Sequence, residues 1–146
     1  MITLFTIGFT KKTAEHFFET LRKNGVQKIV DIRINNSSQL AGFAKGSDLC
    51  YFAKSIANIG YVHIPDFAPT KELLSDYQNK RINWENYQKI YRQLIEDRKI
   101  LTKYKVSSFN NSCFLCSEET PEQCHRRLLV EYFKKNNHNI QIIHLK

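Results

Sequence analysis

Ile2-Thr-Leu-Phe-Thr-Ile-Gly8, Ala14-Glu-His-Phe-Phe-Glu-Thr-Leu21 and Val26-Gln-Lys-Ile-Val-Asp-Ile-Arg-Ile34 together decide the fold. The first is an apolar, β-branched run closed by glycine, which reads as a buried strand. In the second, Ala14, Phe17, Phe18 and Leu21 recur at the spacing of one helix face, and Asn24-Gly25 stops the pattern. The third returns to strand character. Strand, helix and strand within about 33 residues is the size of a right-handed crossover joining two parallel strands.

Working outward, a polar stretch with Asn35, Asn36, Ser37, Ser38, Gly42 and Gly46 has neither period and reads as a long loop leaving the second strand. A helix over Leu49 to Asn58, a short strand over Tyr61 to Ile64 and a helical stretch opened by Pro69-Thr70 come next. Trp84, Tyr87, Tyr91, Leu94, Ile95 and Arg98 keep a stronger helical period. Cys113 to Ser117 gives a fourth strand, Pro121 to about Lys135 a helix, and Asn139 to Leu145 a fifth strand. The expectation is a single α/β domain over residues 1–146, Rossmann-like, with a mostly parallel sheet of four or five strands between two helical layers. At 146 residues the chain is long enough for its own core. It has no apolar run of about 18 residues and no signal-peptide pattern near Met1, so a cytoplasmic protein without membrane partners is expected.

In an open parallel sheet, ligands bind beyond the carboxyl ends of the strands. Thr6, Gly8 and Thr10 end the first strand, Asp31 and Arg33 the second, and Cys116 and Glu118 the fourth. Alternation puts Asp31 and Arg33 on one face, and likewise Cys116 and Glu118. Charges inside the apolar run Ile29 to Ile34 need partners or a purpose. Asp31 and Arg33 are therefore either an internal ion pair or a grip in which Arg33 holds an anion and Asp31 orients a polar group. Ser37, Ser38 and Phe43 on the following loop join the candidate substrate contacts.

The densest chemistry lies in Cys116-Ser-Glu-Glu-Thr-Pro-Glu-Gln-Cys-His-Arg-Arg127. Thr120-Pro-Glu-Gln carries the signature of a helix start, which places Cys124 and His125 at the end of the first turn. There Cys124, beside Arg126 and Arg127, is the first candidate nucleophile and Cys116 the second. His125 falls on the stripe of Leu128, Leu129 and Tyr132 and should point toward the sheet, as a general base or as a satisfied buried histidine. Arg126 is a candidate anion contact. Cys50 reads as packing. Cys113, Cys116, Cys124 and His125 superficially meet a zinc ligand count, but Cys113 and Cys116 point to opposite faces of an extended strand, so no metal and no cofactor is expected.

Thr6-Ile-Gly-Phe-Thr10, Asp31-Ile-Arg33, Asn36-Ser-Ser-Gln-Leu-Ala-Gly-Phe43, Gly60-Tyr-Val-His63, Leu115-Cys-Ser-Glu118 and Pro121-Glu-Gln-Cys-His-Arg126 resemble the domain of unknown function 488 family of prokaryotic proteins along nearly the whole chain. Asn36 to Phe43 and Ala68-Pro-Thr-Lys-Glu72 resemble one subgroup. The resemblance implies an α/β fold and a pocket, and supplies no established reaction. Many members carry His-Ser after the first Ile-Gly, where this chain has Phe9 and Thr10, so a mechanism that requires that histidine cannot operate here.

Two functions stay open. One is an enzyme acting on a nucleotide, nucleic acid or other anionic substrate, with a Cys/His/Asp/Arg pocket. The other is a non-catalytic nucleic-acid-binding or regulatory module that uses the net charge of +8 and exposed aromatics such as Phe43, Tyr51 and Tyr77. Core packing is the competing role for Tyr77 and Tyr51.

Overall fold

Strand order places the middle of this fold between segments far apart in sequence. In a computed structural model that describes residues 1–37 and 42–146, five strands form one sheet in the order β3-β2-β4-β1-β5, every pair parallel. The strands are β1 (Ile2–Gly8), β2 (Lys28–Asp31), β3 (Gly60–His63), β4 (Ser112–Cys116) and β5 (Ile140–His144). The helices are α1 (Ala14–Lys23), α2 (Gly46–Ala57), α3 (Lys71–Gln78), α4 (Trp84–Asp97), α5 (Ile100–Lys103) and α6 (His125–Asn136). The chain has the expected α/β architecture.

Strand alternation divides the core into two layers. Val30, Ile32 and Phe114 face a cluster built with Tyr87, Tyr91 and Ile95 of α4 and Leu128, Leu129 and Phe133 of α6. Ile29, Cys113 and Leu115 face the other side, against Phe17, Phe18 and Leu21 of α1 and Leu49 and Ala53 of α2. The stripe read from Ala14 to Leu21 is thus the buried face of α1. Its N-terminus is capped by Thr13, whose hydroxyl accepts from the His16 N–H at 3.1 Å.

β2 runs into α2 on one face, whereas its neighbour β4 runs into α6 on the opposite face. Where successive crossovers part in this way, a crevice opens beyond the strand ends. Here it lies between β2 and β4.

β2 covers only Lys28–Asp31 of the strand read over Val26 to Ile34, and two helix starts also differ from the sequence reading. α2 begins at Gly46, three residues before Leu49, because Gly46 donates to the Asn36 carbonyl at 2.7 Å and presses so close that a Cβ would stand 2.4 Å from Asn36 Nδ2. α6 begins at His125, not at Pro121. Cys124 is its N-cap, with extended backbone at φ −137° and ψ 141°.

Candidate functional site

The late start of α6 shapes the crevice. Cys124 stays extended so that its sulfur meets that of Cys116 at the end of β4; the two sulfurs are in contact. Arg126 holds the intervening loop in place. This residue is fully buried, and its Nη1 donates to the Glu118 carbonyl at 2.7 Å and to Cys116 Sγ at 3.1 Å, with Cys124 Sγ at 3.5 Å. Nη2 reaches the Glu119 carbonyl at 3.4 Å. Burial lowers the Arg126 pKa to about 10, which leaves the guanidinium charged at neutral pH. The guanidinium thus donates N–H toward both sulfurs at once. Arg126 therefore meets both sulfurs from a fully buried position and does not line the cleft described below.

Gly8 makes this arrangement possible. The loop after β4 crosses the end of β1 so closely that a Cβ on Gly8 would lie 1.6 Å from the Glu118 carbonyl oxygen and 3.1 Å from Arg126 Nη1. Thr10 ties the same loop down: its N–H and hydroxyl both donate to the Ser117 carbonyl, at 3.2 and 2.5 Å. Thr6 is buried, with its hydroxyl 2.7 Å from His144 Nδ1. Thr6, Gly8 and Thr10 therefore support the loop and sheet, and none of the three lines the cleft described below.

His125 points at the sheet and lies 5.6 Å from the Tyr91 ring, edge to face. Its Nε2 is 2.8 Å from the Ile32 carbonyl, and a carbonyl only accepts, so Nε2 carries the proton and Nδ1 the lone pair. Burial lowers its pKa to about 4; the hydrogen bond to the Ile32 carbonyl opposes this, and Arg126 adds a lesser lowering. The ring is neutral at physiological pH, so the positive charge near the thiols is that of Arg126.

Asp31 and Arg33 share a face, but it is the one opposite the thiols. Arg33 Nε and Nη2 donate to the two Asp31 oxygens at 2.8 and 2.7 Å, and the Tyr61 hydroxyl donates to Asp31 Oδ2 at 2.6 Å. Arg33 Nη2 also reaches the Ala44 carbonyl at 2.7 Å, with the guanidinium 5.2 Å from the Phe9 ring. This is an internal ion pair that anchors the segment before α2. Burial, then the Asp31 carboxylate, pushes the Tyr61 hydroxyl well above its ordinary pKa. Phe43 packs its ring 5.1 Å from Phe17 and 5.8 Å from Phe18. Ser37 donates to Asn35 Oδ1 through its N–H and hydroxyl. Ser38 lies outside the described residues. Cys113 is buried on the α1/α2 face, its thiol pushed up by burial, and Cys50 is exposed on α2, so the packing role expected for Cys50 does not hold.

A cleft of about 120 Å³ opens at the β2/β4 crevice. Cys116, Ser117 and Glu118 form its β4 wall, Gln123, Cys124 and His125 the start of α6, and Arg33 to Asn35 the end of β2. Its fourth side was not marked by the motifs. Pro69, Leu74 and Tyr77 from α3 and its approach, with Tyr87 of α4, close the cleft with apolar and aromatic surface. Tyr77 donates to Gln123 Oε1 at 2.8 Å and stands 5.0 Å from the Tyr87 ring. A second groove shares Tyr77 and Glu118 with the cleft and carries Lys80, Arg81 and Asn83. The helical period of α3 and α4 was legible; that their tyrosines cover the strand ends depends on which face the crossover takes.

Residues 13–133 match the model of the family described as domain of unknown function DUF488. The chain belongs to that family. The matched span of this DUF488 chain takes in every cleft residue named above, whereas β1 and β5 fall outside it. No curated protein and no solved structure matches the chain. Among the described residues, no helix is long and apolar enough to cross a membrane.

Proposed function

We propose that this DUF488 chain is an enzyme acting on a nucleotide, nucleic acid or other anionic substrate bound in the β2/β4 cleft. The observation that carries the reading is that Cys116, Cys124, Glu118 and His125 line one cleft together with the apolar and aromatic surface of Pro69, Leu74, Tyr77 and Tyr87. Concave sites of mostly apolar lining with a few convergent polar groups are the usual form of small-molecule sites. A planar ring fits against Tyr77, Leu74 and Pro69, with Gln123 and Glu118 at its polar edge. The anionic part then extends along the adjoining groove toward the exposed Lys80 and Arg81, since Arg33 and Arg126 are buried. The thiols and His125 form the reacting end, and Glu118 is the carboxylate placed to move a proton.

Trp84, the single tryptophan, stands 5.6 Å from Tyr77 and 5.1 Å from Tyr87, so its fluorescence reports on the cleft. Nucleoside monophosphates and a short single-stranded oligonucleotide should change that emission in a saturable way. Tyr77→Ala should weaken the response about tenfold or more, given that stacking of a base on an aromatic side chain is worth about 1–3 kcal/mol. Equal binding by parent and Tyr77→Ala, or no response to any of these ligands, would rule this reading out.

A further inference from the structure

We infer that Cys116, Cys124 and His125 form a site for one thiophilic divalent metal ion of the zinc type, with its remaining position open to the cleft. The ligand atoms of the three residues lie within 4.8 Å of one another. All three are buried, at 2%, 3% and 8% exposure, yet each borders the cleft. Two cysteines, one histidine and an open position form one of the donor sets that hold catalytic zinc.

Three further features point the same way. The α-carbons of Cys116 and Cys124 are 7.9 Å apart, beyond the roughly 7 Å that a disulfide spans without backbone movement. Two thiolates sharing one tetrahedral zinc at about 2.3 Å each stand about 3.8 Å apart, inside the 4.8 Å that spans the three ligand atoms. Second, the Nε2–H of His125 is given to the Ile32 carbonyl, the outer-shell bond by which a ligating histidine is fixed with its other nitrogen bare. Third, Arg126 donates N–H to sulfur, and such bonds orient metal thiolates as well as free ones. Two thiolates neutralise a dication, and the Glu118 carboxylate at the cleft offsets the charge of Arg126.

Cys113 has no part in this set, because it lies on the opposite face of β4. The opposite facing of Cys113 and Cys116, which argues against zinc in the sequence, thus does not bear on this set. The true set is Cys116, Cys124 and His125, joined by the extended N-cap of α6. The inference rests on the proposed function only in placing the ion at the reacting end of the cleft; the ligand geometry needs no substrate.

The test is metal uptake by the full chain, reduced and purified without chelator. Zinc should copurify at one ion per chain by elemental analysis, and cobalt(II) added to the stripped protein should give sulfur-to-cobalt charge-transfer and tetrahedral ligand-field bands at the same stoichiometry. Cys116→Ser and Cys124→Ser should each weaken cobalt binding about 100-fold and reduce the charge-transfer intensity, whereas Cys50→Ser and Cys113→Ala should leave both unchanged. Should the serine variants not fold, alkylation of the parent decides: zinc should protect Cys116 and Cys124 from iodoacetamide, and EDTA should remove the protection. Absence of metal uptake, charge-transfer bands that follow Cys50 or Cys113, or Cys116 and Cys124 alkylated equally with and without zinc would overturn it. If metal uptake fails while nucleotides still bind the metal-free chain through Tyr77, the metal site falls and the proposed function stands. If zinc binds as described but no nucleotide or oligonucleotide does, the reverse holds.

Discussion

Asp31→Asn separates a scaffold role from a ligand role for the acidic group buried at the end of β2. Asp31 is fully buried and Arg33 is 5% exposed, so solvent screens their attraction little. The carboxylate accepts from Arg33 Nε, Arg33 Nη2, the Arg33 backbone N–H and the Tyr61 hydroxyl, which occupies both oxygens. Asparagine keeps one acceptor oxygen, turns an NH2 toward these donors and leaves the guanidinium without its counter-charge, with only neutral acceptors such as the Ala44 carbonyl. Breaking a buried pair from one side costs about 3–5 kcal/mol. At about 2–4 °C per kcal/mol for a chain of this size, the melting temperature should fall by roughly 10 °C. Thermal unfolding and urea unfolding give the loss, and ultraviolet titration should show the Tyr61 hydroxyl ionising at lower pH. The double variant Asp31→Leu with Arg33→Met should recover part of the stability, because no unpaired charge remains. An Asp31→Asn protein that melts with the parent but no longer binds ligand in the cleft would refute this reasoning, and would return Asp31 to the site.

Gly8→Ala should destabilise the chain by several kcal/mol, read as a lower urea midpoint. The new methyl must displace the Glu118 carbonyl, and with it the bonds that Arg126 makes from a fully buried position. A pH effect follows from the two histidines whose pKa values burial lowers, His125 to about 4 and His144 in the same direction from 6.5. Below about pH 6.5 the unfolded chain takes up these protons before the folded one does. Their contribution is thus complete above pH 6.5 and is lost as pH falls toward 4. Unfolding free energies at pH 7.5, 6 and 5 in the presence of EDTA should fall in that order, with a shallower slope in His144→Gln.

All five strands were legible, as apolar runs or, for β5, as alternation, and the face of α1 as the stripe of Phe17, Phe18 and Leu21, since burial of a periodic surface is written locally. The start of α6 was not. Thr120-Pro-Glu-Gln has the local chemistry of a helix N-terminus, but Arg126 takes the carbonyls of Glu118 and Glu119, and Cys124 turns toward Cys116. These contacts hold the segment open for four more residues. Alternation showed that Asp31 and Arg33 share a face; which face it is depends on the crossovers, as does the closing of the cleft by Tyr77 and Tyr87. The strand-end thiol and the pair Cys124-His125 stood out because so many reactive groups crowd one short segment, while Pro69, Leu74 and Gln123 carry no comparable signal.

Amide chemical-shift mapping tests the central proposal, that ligands are taken in the β2/β4 cleft, most directly. With a nucleoside monophosphate or a short single-stranded oligonucleotide as probe, shifts should concentrate at Ile34 and Asn35, Cys116 to Glu118 and Gln123 to His125, with Tyr77 and Lys80 beside them. Shifts spread over the lysine-bearing surfaces around Lys134 and Lys135, with the strand ends unchanged, would contradict it.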